Sequence, residues 1–201
     1  MKELIEKVQR RIDTNRVLLD YKQSVKTILS ESRYYHSLAC AAVADKIARS
    51  IHLQEDVIEK CLAAGILHDI TKEFHKNAHR ELVQNQNYSI ELDEFPESLW
   101  HAITGEVYVR THLQVEDPEI LEAIRFHTTG RSNMGILAKI VYAADYFSSR
   151  LEPHLNIDKP LDVLCLEKAV ASLLHLIEKN KPVHHDTIDF YHHLIERVYG
   201  E

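Results

Sequence analysis

Between residues 58 and 69 an apolar helical stripe ends in an acid. On a 3.6-residue period Ile58, Cys61, Leu62, Gly65, Ile66 and Asp69 fall on one face, and every member but the last is apolar or small. An unpaired buried carboxylate is costly, so a hydrogen-bonded cation or a bound metal has to meet it. His68 stands beside Asp69 at the helix end, and the doublet predicts half of a metal site. Alone it is weak evidence, because the chain holds 14 histidines. The other stripes decide.

Ser32 is a plausible N-cap for a helix over 33–51 whose inner face carries His36, Cys40, Val43 and Ile47. Taken singly, His36 reads as a satisfied core histidine. Arg33 lies on nearly the same side. A helix over 99–114 has His101 in its first turn. Asp117-Pro118 is a start signal, an N-cap followed by proline. The helix it opens puts Ile120, Leu121, Ile124, His127 and Thr128 on one face. It breaks into Thr128-Thr129-Gly130-Arg131-Ser132-Asn133, a small polar loop suited to phosphate binding or to capping the next helix. Over 134–150 a further stripe carries Leu137, Ile140, Val141, Ala144, Asp145 and Ser148.

The remaining segments carry no chemistry of their own. Residues 2–31 predict one or two amphipathic helices with Leu4, Ile5, Val8, Val17, Leu18, Val25, Ile28 and Leu29 as core positions. A short surface helix over 77–87 leaves His75 and His79 as surface decoration. A loop covers 88–99 and a linker 151–161. Helices over 162–179 (Val163, Leu166, Val170, Leu173, Leu174 and Ile177 inward) and 186–199 close the chain, with His154 and His175 packing or facing solvent.

Five glycines, five prolines and an apolar share of 45% predict an all-α fold. It divides into a helical lead-in, 1–30, and a main unit, 31–201, in one compact domain. No strand alternation and no glycine-rich phosphate loop occur, which argues against Rossmann and Walker enzymes. A net charge of −7 argues against a nucleic-acid polymer as partner, which needs a basic face. Cys40, Cys61 and Cys165 sit inside helical patterns without CxxC spacing, as in a reduced, cytoplasmic protein. No stretch approaches the roughly 18–20 apolar residues of a membrane span, and the charged N-terminus lacks a signal peptide's apolar run.

The chemistry-bearing residues therefore run His36, His68, Asp69, His101, His127, Asp145, each in a helix or at its end. Imidazole with carboxylate suits iron, manganese, zinc or another borderline divalent metal, and the absence of cysteine disfavours structural zinc. Six ligands exceed one ion's quota if open positions are to remain. Either two ions bind, or one takes four side chains and the other histidines hold substrate.

These residues lie in blocks that resemble a known family. The blocks are Arg33-Tyr34-Tyr35-His36-Ser37-Leu38, Ala64-Gly65-Ile66-Leu67-His68-Asp69-Ile70-Thr71-Lys72, Leu99-Trp100-His101-Ala102, Ala123-Ile124-Arg125-Phe126-His127-Thr128-Thr129-Gly130 and Met134 with Lys139-Ile140-Val141-Tyr142-Ala143-Ala144-Asp145. Pro182-Val183-His184-His185-Asp186-Thr187-Ile188 matches the closing helix. Over about 30–195 the chain resembles the HD-domain metal-dependent phosphohydrolases of the YqeK type, a single helical bundle around a buried metal site. One departure is Tyr146-Phe147-Ser148-Ser149-Arg150, where the arginine stands one residue early.

The resemblance implies symmetrical hydrolysis of diadenosine tetraphosphate to two ADP, through a metal-activated water attacking a phosphoanhydride phosphorus. It implies an iron centre of one or two ions, with manganese, cobalt or zinc as substitutes. His36, His68, Asp69 and Asp145 would hold the metal; His101 and His127 would hold a second ion or contact phosphate. Asp69 and Lys72 are the expected catalytic residues, and Arg33, Lys72, Thr128, Thr129, Gly130 and Arg150 the expected substrate contacts. Other readings are an HD phosphohydrolase for another nucleotide (a deoxynucleotide, a nucleoside monophosphate or guanosine tetraphosphate), or a non-catalytic nucleotide sensor. Both leave a small-molecule nucleotide as partner, and homodimerisation stays open.

Overall fold

The computed structural model describes residues 1–85, 91–149 and 157–200, and no strand occurs among them. The helices are α1 Lys2–Thr14, α2 Arg16–Ile28, α3 Glu31–Ser50, α4 Glu55–Leu67, α5 Lys76–Asn85, α6 Trp100–His112, α7 Pro118–Phe126, α8 Ile136–Ser148, α9 Leu161–Glu178 and α10 His185–Tyr199. Two short 3-10 turns, Leu92–Glu94 and Glu97–Leu99, precede α6. None of the described helices is long and apolar enough to cross a membrane.

The middle of α3 is apolar or small on every side, with Ala39, Cys40, Ala41, Ala42, Val43 and Ala44 all buried, which is the signature of a helix at a core centre. It packs against α4 and α8 as well as α1. Close approach of α3 and α4 depends on Gly65: a Cβ there would lie 2.7 Å from the Ala41 Cα. This contact brings the His36 face of α3 against the His68-Asp69 end of α4.

Caps set the helix starts. The Asn15 side chain accepts from Val17 N and Leu18 N, and Asp117 accepts from Glu119 N and Ile120 N ahead of Pro118 at the first helical position. The cap of α3 is Ser30, not Ser32: its hydroxyl accepts from Arg33 N. Glu73 selects this start by accepting from Ser30 N (2.6 Å) and Ser30 Oγ (2.7 Å). The turn after Asp69 is thereby tied to the helix that carries Arg33 and His36.

Residues of α1 and α2 join the main core through Val8, Ile12, Leu18 and Val25. Arg11 pairs with Asp45 and Glu55, and Asp45 is only 4% exposed. Val17, an expected core position, is instead 55% exposed. The same correction applies to α9, where Val170, Leu174 and Ile177 face outward. Their apolar spacing is real, but α10 covers only another side of the helix.

His79 is the opposite case. It is 6% exposed, its Nδ1 meets Thr104 Oγ1 at 2.7 Å, and its ring packs edge-on against Trp100. It anchors α5 on α6 instead of decorating the surface. His154 and part of the expected 151–161 linker lie outside the described residues.

Candidate functional site

Three helix ends and two helix faces converge on one cluster centred on Asp69. Asp69 follows α4 and is 2% exposed. Its Oδ2 lies 2.8 Å from Arg33 Nη1, 3.5 Å from His68 Nε2 and 3.8 Å from His36 Nε2. Its Oδ1 lies 3.3 Å from His101 Nε2 and 3.5 Å from His127 Nε2. Asp145, on α8, closes the first half with Oδ1 at 3.1 Å from His36 Nε2 and 3.6 Å from His68 Nε2. The four residues expected to hold the metal, and the two histidines expected at a second ion or at phosphate, are thus brought together.

Tautomers follow from the backbone. His68 Nδ1–H donates to the Gly65 carbonyl (2.9 Å) and His127 Nδ1–H donates to the Ile124 carbonyl (2.8 Å). A carbonyl only accepts, so Nδ1 of each ring carries a proton, and in the neutral His127 ring this leaves the Nε2 lone pair pointing inward. The rings then face nitrogen to nitrogen, at 3.3 Å for His68 and His36 and 3.1 Å for His101 and His127.

Burial raises the pKa of Asp69, but the imidazoles of His68 and His127 outweigh it and hold the carboxyl well below its ordinary range. Asp145 is likewise pushed up by burial and pulled well down, first by Lys168 and then by His36 and His68. Burial and Lys72 lower His101, and burial lowers His127, keeping both rings neutral. For His68, burial opposes a proton, while Cys40, Asp69 and Asp145 outweigh it and raise the pKa. Burial also lowers Lys72, against the attraction of Asp69 and Asp145.

The cluster fits a divalent metal on its own geometry. Asp69 Oδ1 is buried without a hydrogen-bond partner, a cost that a cation would remove. Two donor sets, His36 with His68 and Asp69, and Asp69 with His101 and His127, each have their ligand atoms within 4.8 Å of one another. Asp69 belongs to both. Backbone carbonyls behind His68 and His127 supply the second shell that metal-ligating imidazoles ordinarily have.

Lys72 Nζ sits 3.0 Å from His101 Nε2 and 3.9 Å from Asp69 Oδ1. Thr128 Oγ1 reaches His127 Nε2 at 3.0 Å and His101 Nε2 at 3.3 Å. Gly130 has a different neighbourhood. Its φ of +67° and the Phe190 ring, 2.1 Å from where a Cβ would stand, account for glycine there. Thr129 is 8% exposed beside it, so of this loop the structure brings Thr128 to the cluster. Arg150 lies outside the described residues.

Lys168 is the residue that the sequence reading missed. It is 4% exposed on α9, donates to Asp145 Oδ2 (2.8 Å) and the His127 carbonyl (2.7 Å), and lies over the Tyr142 ring. A signal existed: Leu161, Leu164, Cys165 and Lys168 recur at helical spacing and put the ammonium on an apolar face.

An all-helical fold whose core converges four imidazoles and two carboxylates defines a protein with a divalent-metal site. The chain belongs to the HD domain family, which matches residues 33–150. It is 32% identical over 179 residues to a symmetrical bis(5′-nucleosyl)-tetraphosphatase from Halalkalibacterium halodurans, covering 86% of this chain and 94% of that one. A protein of the same name from Bacillus subtilis is 31% identical over 177 residues, covering 85% and 94%. The crystal structure of a predicted HD superfamily hydrolase involved in NAD metabolism from Clostridium acetobutylicum matches with a TM-score of 0.79 at 29% identity, covering 89% of this chain and 96% of that one.

Proposed function

We propose that this protein hydrolyses diadenosine tetraphosphate symmetrically, giving two ADP. One observation carries the reading: a single buried carboxylate, Asp69, faces two imidazole pairs with its two oxygens. In the overall reaction a water oxygen bonds to one of the two central phosphorus atoms. The central P–O–P bridge breaks on that side, the leaving ADP takes the bridging oxygen, and the water's protons are released.

His36, His68, Asp69 and Asp145 would hold the first ion, and His101 and His127 would share Asp69 to hold a second or to contact phosphate. When bound, such a metal acts as a Lewis acid that lowers the pKa of water and polarises a phosphoryl oxygen. Iron is the ion the family resemblance implies, and mixed nitrogen and oxygen donors without thiolate suit it.

This chain's side chains do the positioning. Arg33 and Lys72 flank the two Asp69 oxygens and offer positive charge and donors to the phosphates, where they are worth most as charge develops. Thr128 offers a hydroxyl beside the His101-His127 pair. Lys168 holds Asp145 in place.

A substrate panel tests the reading. The metal-loaded protein should show its highest kcat/KM for diadenosine tetraphosphate, above deoxynucleotides, nucleoside monophosphates and guanosine tetraphosphate. A preference for one of those would replace the substrate, and no turnover of any with metal bound would favour a sensor.

A further inference from the structure

Two cavities open beside the cluster, one lined at its inner end by Arg33 and His36 and the other by Lys72 and Thr128. The first, about 440 Å³, is lined by Ile5, Ser32, Arg33, Tyr35, His36 and Ser149 among others. The second, about 250 Å³, is lined by residues that include Lys72, Leu99, Thr128, His175, Leu176 and His184. No residue lines both. A larger cavity of about 660 Å³ among α1, α2 and α3 holds none of the cluster residues and meets the first cavity at Tyr35, which lines both.

Each cavity begins at a cation on its own oxygen of Asp69. Arg33 Nη1 donates to Oδ2 at 2.8 Å, and Lys72 Nζ lies 3.9 Å from Oδ1. Each continues into a wall that mixes flat or apolar surface with hydroxyls or imidazoles. In the first, Tyr35 is 53% exposed and stands beside Ser32 and Ser149. In the second, Leu99, Leu176 and Pro182 share the lining with His175, His184 and Ser172. Such linings suit a base on the apolar side and a ribose on the polar one.

We propose that the cavities are paired nucleoside subsites: a dinucleoside polyphosphate lies across Asp69, its phosphates between Arg33 and Lys72 and one nucleoside in each cavity. The inference rests on the phosphohydrolase reading and deepens it. A substrate with identical ends, gripped at both, is centred on the carboxylate that the two halves share. The bond nearest the cluster is then the middle one, which gives equal products.

Calorimetric titration of ADP into the metal-loaded protein tests this without turnover. Two ADP should bind per chain. Tyr35→Ala should weaken one of the two events about tenfold, the loss expected when a stacked base loses its aromatic partner. Leu176→Ala should weaken the other; exposed His175→Ala in the same cavity serves if the leucine variant folds poorly. One ADP per chain, or two that neither set of variants separates, would overturn the proposal. A protein that binds two ADP yet fails to cleave the dinucleotide would instead lose the proposed reaction and keep the subsites.

Discussion

Lys168 Nζ lies 2.8 Å from Asp145 Oδ2 and 2.7 Å from the His127 carbonyl oxygen. One buried ammonium on α9 therefore holds both the acid of α8 and the turn that ends α7. These two elements bring a ligand to opposite halves of the cluster. Removing one partner of a buried pair leaves the other charge uncompensated, at a cost of about 3–5 kcal/mol. Lys168→Met should lower the melting temperature of the metal-free protein by about 10 °C, on the usual scaling for chains of this size. Saturating divalent metal should recover part of the loss, because an ion gives Asp145 a new positive partner. Thermal unfolding with and without metal checks both parts.

Gly65 sets the spacing of α3 and α4, and with it the distance between His36 and His68. Gly65→Ala puts a methyl 2.7 Å from backbone that cannot turn aside. Overpacking of this kind costs about 1–3 kcal/mol. The variant should be less stable in urea and should bind metal more weakly than the parent. An unchanged urea midpoint would mean that the helices separate freely.

The two halves of the cluster make distinct predictions for metal content. With two ions bound, mass spectrometry of the purified protein should find about two equivalents per chain, as a pair of donor sets sharing one carboxylate implies. His36→Ala and His127→Ala should each lose about one equivalent. If His127→Ala keeps the full content, the His101-His127 pair contacts phosphate and a single ion binds.

Burial pushes the thiols of Cys61 and Cys165 up to about 12. Neither is a thiolate at pH 8, and all three cysteines are free and buried. Ellman's reagent should find no reactive thiol in the native protein and three after denaturation. The linkage sign follows from the raised pKa. The unfolded thiols ionise first, so this contribution to stability is fully present below about pH 9 and is lost as the pH rises toward about 12.

Much of the site was legible because burial constrains polarity. Apolar stripes that end in or include His36, His68, Asp69, His127 and Asp145 need partners, and helical spacing placed those residues on or beside inward faces. What stayed hidden depends on contacts between distant segments. His79 reads as solvated until Thr104 and Trp100 of α6 fold over it. Ser30 caps α3 in place of Ser32 because Glu73, 43 residues away, accepts from it. Val170, Leu174 and Ile177 show the reverse: spacing marks a face as apolar without saying whether the chain covers it.

Anion-exchange chromatography of the products from diadenosine tetraphosphate, with Asp69→Ala as control, tests the central claim most directly. Metal-loaded protein should give ADP as the sole product, and the control should give none. ATP with AMP in equal amounts would contradict it, because the broken bond would then lie off the centre of the substrate. Equal ADP production by the control would contradict it too, since the carboxylate between the two imidazole pairs would then play no part.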